Sequence, residues 1–367
     1  MSAIPPAWQE CVAFANTHEV TWPRDPHAAP DVDGPRWGVH HDDPPPWNRL
    51  RGPVHERGGV SGVVLQGGAQ TVAWGEPERA DLTFSVAKTY LALLAGVAHG
   101  RGLLPDPDEP VAEHLPGLGF DTEHNRSITW THLFEQTSEW EGECFGLPDT
   151  VDRYRKVALD SRPQLGRKGE ARPLQAPGSY WEYNDVRINQ LSLALLHLFG
   201  RPLPEVFGEA IMKPLGASDT WRWTAYDDAW VTLAGRRVQS VPGGSHWGAG
   251  VSISARDQAR IGQLVLDGGR HGDKQLIPRQ WLARMHRPCA MAPFYGWLTW
   301  LNVDRSSFAS ASPRSSFMVG AGGHCVWMEP AHDAVLVVRW LDPQFVSPFM
   351  ALAAKALEAP RANLAKP

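Results

Sequence analysis

The chain is 367 residues long, which fits two domains or one large domain carrying an insertion, with ample length to bury a core. With 43% hydrophobic and 20% charged residues it is neither a disordered nor a collagen-like polymer. Lys and Arg number 35 against 40 Asp and Glu, a formal charge of −5, so there is no basic excess to draw a nucleic acid.

The opening, MSAIPPAWQE, lacks the basic start and apolar run of a secretory signal, and no apolar stretch approaches the ~20 residues of a membrane-spanning helix. A cytoplasmic protein without a membrane partner is expected. Residues 1–56 are rich in Pro and Asp and read as an irregular arm laid over the fold, because clustered prolines suit neither helix interiors nor central strands. The run HHDDPPPW at 40–47 reads as a solvated loop, since no helix or strand spacing fixes a metal-ligand set there. Residues 59–67 and 70–74 are β-rich runs parted by Gly-Gly-Ala, which predicts a hairpin.

Residues 84–99 predict a helix, with Tyr90, Leu91, Leu94, Val97 and Ala98 at helical spacing and Gly100, Gly102 and Pro105 ending it. It is apolar nearly all round, so it should be central and buried. From 105 to about 223 the chain reads as helix and loop, with clearer helices at 128–135 and 186–199. Farther on, Ser254-x-x-Asp257 has capping-box logic ahead of a helix with Ile261, Leu264 and Val265 on one face. Strands are predicted at 295–303, 324–329 and 334–341, the last apolar enough to be buried. Ser347-Pro348 makes a cap and first turn for a closing helix at 349–358. The expected class is α/β (α+β): a sheet domain from 57–104 and 235–367, a mostly helical region at 105–234, and the arm at 1–56. Four scattered cysteines (Cys11, Cys144, Cys289, Cys325) form no CxxC pair and read as buried thiols. The 17 tryptophans fill cores, but several fall in Gly-rich loops where they could wall a pocket.

Chemistry concentrates at Ser85-Val86-Ala87-Lys88. Residues one helical turn apart share a face, so the Lys88 amine can reach the Ser85 hydroxyl. The helix N-terminus favours the alkoxide and oxyanion, and a buried lysine with a lowered pKa can take the serine proton near neutrality. No other serine in the chain has Lys at +3. Downstream, Tyr183-Asn184-Asp185 precedes a helix and offers a phenol as a second proton carrier. Asp185 is more readily read as the N-cap of that helix. Gly320-Ala321-Gly322-Gly323 leads into a strand, and such an edge lets a carbonyl approach backbone N–H groups, although a simple bulge fits it too.

Ser85-x-x-Lys88, Tyr183-x-Asp185 and the glycine strand together resemble the three motifs of the serine β-lactamase and penicillin-binding superfamily, nearest its class C-like esterases, amidases and 6-aminohexanoate-dimer hydrolases. The resemblance runs from about Gly59 to the terminal helix. It extends to SITWTHLFEQTSEW, similar to the helix leading to that family's Thr-Ser-Gly turn, to the Pro-Leu-Gly turn in IMKPLGASDTW, and to SISARDQARIGQLVLDGG. It implies a β-lactamase/transpeptidase-like antiparallel sheet flanked by helices. It implies Ser85 as nucleophile, Lys88 as proton acceptor, Tyr183 as the partner that activates serine or protonates the leaving group, and the backbone N–H groups of Ser85 and Ala321 as oxyanion hole.

Two departures matter. The second motif of the family ends in Asn where this chain has Asp185; a carboxylate there is expected to raise the Lys88 pKa and shift the base role toward Tyr183, with Arg187 as a possible counterweight. The third motif of β-lactamases carries a lysine where this chain has Met318, aligned through Gly320, so an anionic antibiotic lacks its partner. Gly243 to Gly250 hold His246 and Trp247, read as a substrate contact or proton relay, or else as a packed turn with the imidazole in solvent. Ser138-Glu139-Trp140-Glu141 is placed on the cleft rim with both acids in a surface loop. His324 and Cys325 are strand neighbours facing opposite ways, and no dyad is expected. An α/β-hydrolase elbow and a zinc-hydrolase cluster are absent. The expectation is a serine hydrolase acting on a small ester or amide without metal or organic cofactor. The alternatives are a non-catalytic ligand sensor or scaffold of the same fold, or a true class C-type β-lactamase or D-amino peptidase.

Overall fold

A computed structural model describes residues 3–28, 43–104 and 106–359. Its frame is a six-stranded antiparallel sheet built from both ends of the described chain. The strands are β1 (Ser61–Gln66), β2 (Ala69–Trp74), β3 (Trp300–Leu301), β4 (Ser316–Gly320), β5 (His324–Glu329) and β6 (Ala334–Arg339), in spatial order β3-β4-β5-β6-β1-β2. Gly67 and Gly68 both take positive φ, 59° and 76°, which closes the β1–β2 hairpin with the twist its strands need. β1 pairs with β6 from Ser61 opposite Arg339 to Gln66 opposite Ala334. β5 and β6 are buried at every position, which explains their nearly unbroken apolar sequence.

The principal helices are α1 (Pro6–Thr17), α2 (Val86–Gly100), α3 (Asp185–Phe199), α4 (Ala255–Leu266) and α5 (Val346–Glu358). α2 is buried from Val86 to Ala98, as its all-round apolar character demands. α4 starts from the expected cap: the Ser254 hydroxyl accepts the Asp257 N–H and packs on β1, β5 and β6. A second sheet sets Gly250–Ile253 between Asp81–Leu82 and Arg222–Thr224, which brings the residues before Ser85 beside the 243–250 loop. All four cysteines are free and buried.

Four local expectations change. The N-terminal arm is not irregular throughout: Pro6 opens α1, a position where its missing N–H costs nothing, and Trp8, Cys11, Val12 and Ala15 bury against the core. Of the run at 40–47, residues 40–42 lie outside the described residues, while Asp43 is buried. The strand expected at 295–303 shrinks to Trp300–Leu301, because Leu298 takes a φ of 49° and Val303–Arg305 is a 3₁₀ turn. α5 starts at Val346, ahead of Ser347, which therefore sits inside the first turn and caps nothing. Residues 106–234 hold α3, shorter helices and loops, with the hairpin Trp230–Leu233/Arg236–Gln239 at the edge.

Candidate active site

Ser85 stands at the N-cap of α2, in the turn after Asp81–Leu82. Phe84 precedes it with a φ of 52°, a costly conformation for an aromatic residue. Its ring is held among Val20, Val54, Leu82 and Trp340, and that packing over-determines the turn presenting Ser85. One turn on, Lys88 Nζ donates to Ser85 Oγ across 2.9 Å. The same Nζ lies 2.5 Å from Asp185 Oδ1 and 4.7 Å from the centre of the Tyr183 ring. Tyr183 lines the same cavity as Ser85, and its ring stacks on Trp300 at 5.8 Å. The structure thus gathers all three side chains singled out in the sequence.

The N-terminus of α3 explains how. Asn184, not Asp185, caps the helix: its side-chain oxygen accepts the N–H groups of Val186 and Arg187. Asp185 is the first helical residue, and its carboxylate is left to face Lys88. Gly244 covers this pair; a methyl there would lie 2.7 Å from Lys88 Nζ and 2.8 Å from Asp185 Oδ2.

Burial governs the electrostatics. It pulls the Lys88 amine below the usual lysine range; Asp185 pulls upward, Arg155 downward, and burial prevails. The expectation of a raised Lys88 pKa is therefore reversed. Burial would lift the Asp185 carboxyl, but Lys88 and Arg155 hold it down at about 2. Burial pushes the Tyr183 phenol above the usual tyrosine range, and the Asp185 charge adds to that. The counter-cation is Arg155, 3.2 Å from Asp185 Oδ2, and not Arg187. Arg187 is consumed by Asp149 and Glu182 at 2.7 Å and Glu139 at 3.1 Å.

Opposite the helices, β4 ends at Gly320. A methyl on Gly320 would lie 2.2 Å from the Thr83 carbonyl oxygen, so only glycine lets the strand end approach the Ser85 turn so closely. Gly320, Ala321, Gly323 and His324 line one cavity of about 530 Å³ together with Ser85, Arg155 and Tyr183. Val157, Leu159, Trp300, Phe308, Val319 and Val346 make much of its wall apolar. Met318 is buried in the main core, while its neighbour Val319 faces the cavity.

The Beta-lactamase family model matches residues 48–352. The chain belongs to the beta-lactamase family. It is 23% identical over 291 residues to the 6-aminohexanoate-dimer hydrolase of Paenarthrobacter ureafaciens, covering 73% of this chain and 68% of the relative. Among solved structures it superposes on a beta-lactamase/D-alanine carboxypeptidase from Pseudomonas syringae (TM-score 0.56, 16% identity, 85% of this chain and 95% of that one). It also superposes on a D-stereospecific amidohydrolase from a Streptomyces species (0.54, 17%, 81% and 92%). These structures share the fold: antiparallel sheets flanked by helices, as expected.

In this beta-lactamase-family chain Glu139, Trp140, Glu141, His246, Trp247 and Gly322 lie outside the cavity lining. Trp140 is buried against Phe120, with ring centres 5.1 Å apart, and does not line the cavity. Glu139 is fully buried rather than in a surface loop, pairing with Arg172 and Arg187; Glu141 is exposed. His246 is neither in the cavity nor in solvent: its Nε2 lies 2.9 Å from Asp43 Oδ2, which also accepts the Trp247 indole N–H at 2.8 Å. Gly322 turns the β4–β5 hairpin at φ 73° against Trp340. Burial keeps His324 neutral and pushes the Cys325 thiol up to about 12, so the neighbours form no ion pair. Arg155 was missed, lying in a polar loop stretch that carries no motif, and Asp43, read as part of a solvated loop, is instead buried beside His246 and Trp247; only the fold brings each to its network. Among the described residues no group of three or more His, Cys, Asp or Glu is placed to hold a metal ion, and no helix is long and apolar enough to cross a membrane.

Proposed function

We propose that this member of the beta-lactamase family is a serine hydrolase that acylates Ser85 with a small ester or amide and then releases the acyl group to water. One observation carries the reading: Lys88 Nζ sits 2.9 Å from Ser85 Oγ, at the base of a largely apolar cavity that Tyr183 also lines. In the first step Lys88 takes the hydroxyl proton while Ser85 Oγ bonds to the substrate carbonyl carbon. The oxyanion lies toward the backbone N–H groups of Ser85 and Ala321. Collapse breaks the bond to the leaving group, which leaves with a proton relayed through Tyr183. In the second step water attacks the acyl-serine, the same groups move the proton in reverse, and Ser85 is restored. No metal or organic cofactor enters either step.

The similarity to the Paenarthrobacter 6-aminohexanoate-dimer hydrolase and the Streptomyces D-stereospecific amidohydrolase supports this reading of substrate class. The buried Met318 offers an anionic antibiotic no cation from β4, so penicillin-type substrates rank below neutral esters. Four free thiols fit a reducing, cytoplasmic setting. Because Lys88 must be unprotonated to act, turnover rises as pH climbs through its pKa, and burial moves that rise toward neutrality. A fluorophosphonate probe read by intact mass tests the reading. One adduct on the wild type and none on Ser85→Ala is expected; an unlabelled wild type that also leaves short-chain p-nitrophenyl esters intact overturns it in favour of a ligand sensor.

A further inference from the structure

The carboxylate beside Lys88 is a shared one. Asp185 offers Oδ1 to Lys88 at 2.5 Å and Oδ2 to Arg155 at 3.2 Å. Arg155 lies equally, 3.2 Å, from Asp152 Oδ2, an atom that also accepts the Asp185 backbone N–H at 2.6 Å. One guanidinium therefore ties the turn Asp149–Asp152 to the first residue of α3. It also lies 5.5 Å from the Tyr183 ring centre and forms part of the cavity wall. Asp152 has a second cation, Lys168, at 3.7 Å, whereas among the described residues Asp185 pairs with Lys88 and Arg155.

A buried carboxylate with one ammonium neighbour draws the proton onto that nitrogen, because separating the charges in a poorly solvated site is costly. A second cation on the other oxygen divides that attraction and adds repulsion of its own. We propose that Arg155 is the positioning residue that frees Lys88 to act as a base despite the carboxylate at 185, by occupying one oxygen of Asp185 and by repelling, through its own charge, a proton on Lys88. The proposal rests on the Ser85–Lys88 reading above. The groups that face Lys88 are Ser85 from its own helix, Tyr183 and Asp185 from the start of α3, and Asp152 and Arg155 from the neighbouring turn. From the 243–250 loop it meets the Gly244 backbone.

The sign follows from the charges. Removing a positive neighbour raises the Lys88 pKa and moves the acid limb of the labelling rate to higher pH; removing a negative one moves it lower. The experiment measures the rate of fluorophosphonate labelling against pH. Arg155→Gln should move the limb up by about one unit, so that labelling slows roughly tenfold below the limb and by less above it. Arg155→Lys should bring the limb back. Should Arg155→Gln fail to fold, the pair Asp185→Asn and Asp185→Asn/Arg155→Gln decides: the first lowers the limb, and the second raises it again. A uniform loss of rate with the limb unmoved, or a double variant whose limb matches Asp185→Asn alone, overturns the role of Arg155 while leaving the serine reading intact. An unlabelled wild type overturns both.

Discussion

Across the cavity, the wall made by α2, the start of α3 and the turn carrying Arg155 is crowded with ionisable groups, while the wall made by β4 and β5 presents Val319, Gly320, Ala321 and Cys325 and no charge. The helical wall is where protons can move; there Lys88 and Asp185 are almost fully enclosed, with side-chain exposures of 1% and 2%. The sheet wall can supply only backbone N–H groups and apolar surface. Such a division separates two tasks. Bond-making chemistry depends on charges whose mutual distances the protein fixes, and substrate choice depends on a face that favours neutral, apolar acyl groups.

The contrast breaks most visibly on the helical side. Lys88→Met should abolish ester hydrolysis to within about 10³-fold of background or lower, measured as kcat/KM. It should also cost about 3–5 kcal/mol in urea unfolding, because Asp185 loses its ammonium partner. On the sheet side, Gly320→Ala drives a methyl against the Thr83 carbonyl, and the resulting shift of the strand end should lower kcat/KM about 10²-fold with an intact thermal transition. A gain-of-function change sharpens the comparison. The wild type should turn over nitrocefin more slowly than p-nitrophenyl acetate, and Val319→Lys, which aims a cation into the cavity, should improve the nitrocefin-to-ester ratio about tenfold. Lys at Met318 should not, since that side chain is buried in the core. The smallest effect is expected from Trp140→Phe, a loss of about 1–2 kcal/mol in stability with KM and kcat unchanged, because the indole packs on Phe120 away from the cavity.

Legible in the sequence is whatever depends on near neighbours along the chain or on regular periodicity. Ser85 and Lys88 are three apart on one helix, and β1, β5 and β6 advertise burial in their residues. The helical signal at 186–199 was equally plain, yet its cap was assigned one residue too far along, since both Asn184 and Asp185 are good cap formers. Arg155 was invisible because its partners, Asp152 aside, come from a distant helix. The direction of the Lys88 pKa was missed for a related reason: a sequence names the neighbouring carboxylate but not the depth of burial that outweighs it. His246 and Trp247 stood out by composition, and only the fold reveals that Asp43, from the arm, satisfies both.

The pairing of β1 with β6 has a consequence for how the molecule comes into being. Ser61 meets Arg339, so the strand that ends up between β2 and β6 is translated long before its partner emerges from the ribosome. Until then an apolar hairpin edge stays open to other chains. Ladders that span so much sequence close slowly. Newly made copies should therefore depend on chaperones that shield the early hairpin, and should aggregate when overproduced faster than those chaperones can serve them.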